Sequence, residues 1–127
     1  MERGIRLAWQ NYSDLLVWQK GMDLVDEIYH LTKLLPREEI FALSDQMRRA
    51  AVSIPSNIAE GNGRKTKTEF RQFLSIANGS LYELETQIMI CLRQCYIAEC
   101  EAENALSLCK EVGKMMTSLI LAQNCDP

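Results

Sequence analysis

A single histidine, three prolines and six glycines in 127 residues argue against several kinds of protein at once. With His30 alone, neither a histidine-built metal centre nor the paired Glu-x-x-His motifs of a di-iron bundle is supported. Scarce proline and glycine, and almost no alternation of apolar and polar residues, exclude a turn-rich β architecture. No apolar run approaches the roughly 20 residues that a membrane-spanning helix needs. The opening residues lack the apolar core of a secretory signal, so a cytoplasmic protein with no membrane partner is expected. Positive charge is not in excess either. Fourteen Lys and Arg stand against 17 Asp and Glu, a net −3, whereas a generic polyanion binder is usually basic as a whole domain. The first 90 residues hold no cysteine. All five (91, 95, 100, 109 and 125) lie near the C-terminal end, an odd set expected as reduced thiols.

Helical periodicity is what the chain does contain. Apolar residues make up 47% and charged residues 24%, the composition of one globular domain at this length. After an N-terminal extension over 1–13, helices are expected at about 14–34, 38–61, 67–95 and 100–123. In the first, Leu15, Trp18, Met22, Val25 and Tyr29 step by three and four residues, beside a second row of Val17, Leu24, Ile28, Leu31 and Leu35. Two rows cover about half the circumference, so this helix should pack on more than one neighbour. Pro36 stops it, and Glu38 and Glu39 suit the N-terminus of the next, which should turn Ile40, Leu43, Met47, Ala50, Ile54 and Ile58 inward. Pro55 sits inside that second helix. A kink is expected there, because Ile54 is a poor N-cap for a restart, and Ser53, Ser56 and Asn57 are placed to satisfy backbone groups that the kink frees. Thr66 to Glu69 reads as a capping box. Behind it Phe70, Leu74, Ala77, Leu81, Leu84, Ile88, Cys91 and Cys95 form a sustained seam. Gly79 interrupts this helix at a cost of about 1 kcal/mol, for which close packing would compensate. The fourth helix repeats the pattern through Ala102, Leu106, Cys109, Gly113, Met116 and Ile120. The architecture is therefore an all-α, antiparallel up-down-up-down four-helix bundle. Its surplus apolar surface points to a homo-oligomer.

Chemical motifs are thin. Gly61-Asn62-Gly63-Arg64-Lys65-Thr66 invites a phosphate-loop reading, but Arg64 stands where that motif has lysine and no strand precedes it. The plainer reading is a helix C-cap at Gly61 and a turn. Cys91 and Cys95 lie one turn apart without the further ligands of a zinc site, and are expected as thiols filling a helix seam. Glu83 and Glu85 point about 200° apart on their helix, so they share no face. A Ser-His-Asp arrangement would have to rest on His30 alone. No enzyme, metal or cofactor is expected, with a small-molecule enzyme at an inter-subunit cleft as the third reading.

Charge is more informative. Residues 48–71 carry six basic side chains (Arg48, Arg49, Arg64, Lys65, Lys67 and Arg71) against Glu60 and Glu69, while the segments on either side are acidic. This corner between the second and third helices is either a solvated face with local ion pairs or a phosphate-contacting patch multiplied by oligomerisation. Glu60 is expected to pair locally or cap a neighbouring helix.

Gln46-x-Arg48-Arg49-Ala50, Ser53-Ile54-Pro55-Ser56-Asn57-Ile58-Ala59-Glu60-Gly61 and Phe73-Leu74-x-Ile76-Ala77-x-Gly79-Ser80, closed by Glu83-Leu84, carry a resemblance. They resemble the four-helix-bundle proteins encoded in intervening sequences of bacterial large-subunit ribosomal RNA genes, from about Leu15 to Ile97. The resemblance implies a small cytoplasmic bundle, assembled as a ring-like homopentamer, with no established enzymatic activity. Pro55, Asn57, Glu60, Gly61 and Gly79 belong to that signature. A related accessory protein of diversity-generating retroelements works as a basic pentamer with a reverse transcriptase and RNA. By that analogy the implied partner is RNA or a reverse-transcriptase-like protein. The alternative is a purely structural oligomeric scaffold for a protein partner.

Overall fold

A computed structural model describes residues 11–124, and every regular element among them is helical. A 3-10 turn at Tyr12–Asp14 leads into α1 (Leu16–Thr32). A second 3-10 turn, Arg37–Glu39, precedes α2 (Leu43–Asn62), followed by α3 (Lys67–Arg93) and α4 (Glu99–Asn124). Short connections reverse the chain at each step, and the helices close a ring in which α1 packs on α2 and α4, and α3 on α2 and α4. This is the expected up-down-up-down bundle.

The core follows the helical period. Leu24 and Ile28 from α1, Met47, Ile54 and Ile58 from α2, Leu74, Leu81, Leu84 and Ile88 from α3, and Met116 from α4 are fully buried. Each such side chain stabilises the fold by about 1.5–3 kcal/mol. Of the two apolar rows on α1, Val17–Leu31 is the buried one. Trp18 and Val25 are half-buried and Met22 and Tyr29 exposed, along the outer side of the α1–α2 pair.

Three local expectations are corrected. The second helix begins at Leu43, not near residue 38, because Ala42 departs from helical geometry (φ −124, ψ −101). Its acid acts all the same: the Glu39 carboxylate accepts from Leu43 N at 3.2 Å and from the Tyr96 hydroxyl at 2.9 Å. That second bond ties the α3–α4 connection to the start of α2, and it raises the Tyr96 pKa. Ile40, expected inward on that missing first turn, is exposed. Cys95, expected in the buried seam, is exposed. It stands just past α3 at φ 62, where Tyr96 N donates to Cys91 O and Cys95 N to Leu92 O. Those two bonds close the helix end with a left-handed residue where glycine is usual. Cys91 stays buried, as does Cys109 of α4, and burial pushes their thiols up to about 11 and about 12. Gly61, finally, is not a C-cap but a buried residue inside α2.

The helix α2 runs without a break through Pro55. Asn57 Nδ2 donates to the Ser53 carbonyl at 2.8 Å and to Ser53 Oγ at 2.9 Å, and Ser53 Oγ meets Ser80 Oγ at 2.9 Å. Asn57 thus bonds the Ser53 carbonyl, not the Ala51 carbonyl that Pro55 leaves without its helical donor, and the serine pair fixes the register of α2 against α3.

Candidate nucleic-acid interface at the α2–α3 corner

The corner is built by close approach and then a cap. A Cβ on Gly61 would lie 2.7 Å from Phe73 Cβ and 2.9 Å from Phe70 Cδ1, so only glycine lets the end of α2 lie against the start of α3. Past it, Gly63 N donates to Glu60 O and Arg64 N to Gly61 O, closing the helix. Thr66 then caps α3, its hydroxyl oxygen accepting from Glu69 N at 3.1 Å. The side-chain half of the capping box takes another form, with the Thr66 hydroxyl donating to Glu69 Oε1 at 3.3 Å. This short turn sets Arg64, Lys65, Lys67 and Arg71 at one end of the bundle.

These four cations are not equivalent. Arg64 Nη2 lies 2.9 Å from Glu60 Oε2, and its guanidinium stacks 4.8 Å from the Phe73 ring centroid. Glu60 thereby pairs locally, as expected. Arg71 Nη1 donates to Asn124 Oδ1 at 2.7 Å, fastening α3 to the end of α4. Lys65 and Lys67 are exposed. Two arginines are thus held in place beside two exposed lysines.

Arg48 and Arg49 do not join them. They stand about 24 Å farther along α2 at 1.5 Å per residue. Arg48 Nε donates to Thr32 Oγ1 at 3.1 Å, and its guanidinium lies 5.4 Å from the Tyr29 centroid. Arg49 pairs with Asp45 at 3.0 Å. The six basic residues therefore form two groups. Asn124 and Phe73, which position Arg71 and Arg64, were missed in the sequence. Phe73 was visible as an aromatic near the cations, but Asn124 lies 53 residues from its partner and carries no local signal.

Other chemistry does not converge here. No described glycine has a positive φ, so the Gly-Asn-Gly turn does not form the backbone cradle of a phosphate loop. Gly79 meets nothing within 4 Å of its would-be Cβ, so the close packing expected at that position is not made within the chain. No group of three or more His, Cys, Asp or Glu comes together among the described residues. None of the described helices is long and apolar enough to cross a membrane.

A four-helix bundle with a short capped turn at a basic end defines the class of protein. The comparisons narrow it further. The profile of the 23S rRNA-intervening sequence protein family matches residues 13–118, and the chain belongs to that family. A solved structure of a protein of unknown function from the S23 ribosomal protein family of Bacteroides thetaiotaomicron is similar, with a TM-score of 0.77 and 28% identity. The match covers 83% of this chain and 98% of that one. No curated protein sequence matches.

Proposed function

We propose that the protein is a non-enzymatic, self-assembling bundle, a homopentamer as its family resemblance implies, that docks RNA through the α2–α3 corner. One observation carries the RNA reading. In a chain of net charge −3, four cations gather around one capped turn, with Arg64 and Arg71 held by Phe73 and Asn124. Cations fixed by neighbours lose little further side-chain entropy on meeting phosphates. Self-assembly repeats the corner and adds avidity to a patch that is weak in one copy.

Titration of structured and single-stranded RNA at several salt concentrations tests this. Binding should weaken steeply with salt. Neutralising Arg64, Lys65 and Lys67 together should reduce the log–log slope by about 2–3 for each copy in contact, at about 0.7–0.9 per phosphate. Absence of binding at low salt refutes the RNA role. The alternative, an oligomeric scaffold for a protein partner, is favoured by the Glu60–Arg64 ion pair, which spends one corner cation within the chain.

A further inference from the structure

Two apolar surfaces lie on different sides of the bundle, and neither is covered within the chain. The first is a groove between α1 and α2 of about 340 Å³, lined by Trp18, Met22, Val25, Val52, Pro55 and Ala59. Toward the start of α2 it continues into a shallow depression around Tyr29, Arg48, Arg49 and Asp45, the last paired with Arg49. The second is a stripe on α3 made by Ile76, Glu83 and Ile90, seven residues apart and therefore on one line. Ile76 is 53% and Ile90 40% exposed, and Glu83 is the only charge on the outward face of α3 between them.

We infer that these faces are the two halves of one contact between copies of this chain, the α3 stripe of one copy seating in the α1–α2 groove of the next. The inference rests on the self-assembly reading and assigns its surface. The heights of the residues carry it. Ser53 and Ser80 touch, so they share a level along the bundle axis. Counting from them in opposite directions at 1.5 Å per residue, Glu83 comes level with Arg49 to within about 2 Å. On the same count, Ile76 comes level with the Pro55–Ala59 part of the groove. Gly21 lies against Ile54 and Pro55, which brings Trp18 and Met22 of α1 to that level too.

A rotation about an axis parallel to the helices preserves height. It therefore brings the isoleucine of one copy to the apolar groove of the next, and the carboxylate to the arginines. The match is both apolar and electrostatic. Gln87 Nε2 donates to Glu83 Oε2 at 3.3 Å, which orients that carboxylate. On helical wheels the stripe faces outward from the α2–α3 side and the groove from the α1–α2 side, directions roughly 90° apart. A contact between unlike faces set at such an angle turns back on itself and closes a ring. The α2–α3 corners of all copies then lie on one rim.

The test uses the full chain in two exposed-site variants. Val52→Lys spoils the groove and Ile76→Lys spoils the stripe. Circular dichroism should show each still folded, and light scattering should give the 14.5 kDa of one chain. Mixed one to one, the variants retain a single intact pair of faces and should stop at twice that mass. Glu83→Arg and Arg49→Glu should each weaken assembly at low salt, and their combination in one chain should restore it. A monomeric wild type refutes self-assembly itself. An oligomeric wild type that ignores either lysine variant, or a mixture that forms no dimer, refutes these faces while leaving assembly standing.

Discussion

Replacing Gly61 with alanine tests the close approach on which the corner depends. In an open helix the change stabilises by about 1 kcal/mol, because alanine restricts the unfolded chain. At position 61 the new methyl would stand 2.7 Å from Phe73 Cβ, 2.9 Å from Phe70 Cδ1 and 3.4 Å from the Phe70 carbonyl oxygen. The Phe70 ring can swing away, but a Cβ and a backbone oxygen move only with α3 itself. Overpacking of this kind costs about 1–3 kcal/mol beyond any helix gain. A net loss of about 1–3 kcal/mol is expected, a shift on the order of 1 M in the urea midpoint. Unfolding followed by circular dichroism at one fixed chain concentration measures it, since assembly makes stability concentration-dependent. Phe73→Leu should not rescue the variant, because leucine keeps the Cβ that clashes. Stabilisation of Gly61→Ala by 1 kcal/mol would refute the packing and place α2 and α3 farther apart. Gly79→Ala, with nothing in reach of the new methyl within its own chain, is the control in the Ile76→Lys background, where the neighbouring stripe is not covered by another copy, and there should gain about 1 kcal/mol.

Further outcomes follow from the ends and interior of the bundle. Cys95→Gly should raise stability by about 1 kcal/mol by relieving the left-handed residue after α3, read as a melting temperature higher by about 3–5 °C. Brief alkylation of the native protein, mapped by mass, should label Cys95 and Cys100 and spare Cys91 and Cys109; rapid labelling of the latter pair would mean the core opens there. Tyr96→Phe should cost about 1 kcal/mol by removing the hydroxyl from Glu39, and an unchanged urea midpoint would show that this link contributes nothing. In alkali the sign is set by the raised thiols. Above their ordinary pKa of 9.0 the unfolded chain releases protons that Cys91 holds to about 11 and Cys109 to about 12. Stability is therefore complete below pH 9 and falls as pH rises through that window, by about 1.4 kcal/mol per unit for each thiol. Cys109→Ala should flatten the slope, whatever its cavity costs at neutral pH.

Much of the bundle was legible because its signals are local. Pro36 ends a helix wherever the chain goes afterwards, Thr66 and Glu69 cap one within four residues, and the seam from Leu74 to Cys91 is a matter of period. Misreadings arose where a residue answers to a distant neighbour. Gly61 has the composition of a C-cap, yet it is needed because Phe73 lies against it. Cys95 extends the heptad, but α3 has already closed and the residue turns to solvent. The basic window from 48 to 71 is one patch only along the chain, because the length of α2 holds its two ends apart. Arg71 found its partner in Asn124 only through the return of α4.

Periodicity, caps and breakers were enough to specify four helices and their up-down order, since each depends on φ, ψ preferences and spacing within a few residues. Helix α1 offered two apolar rows, and nothing in its own period says which is buried. That choice belongs to α2 and α4, which cover Val17, Leu24, Ile28 and Leu31 and leave Met22 and Tyr29 at the surface. The same packing sets Ile76, Glu83 and Ile90 on a second uncovered side. Burial is a property of neighbours, so the faces left for another molecule emerge only when the helices are in place.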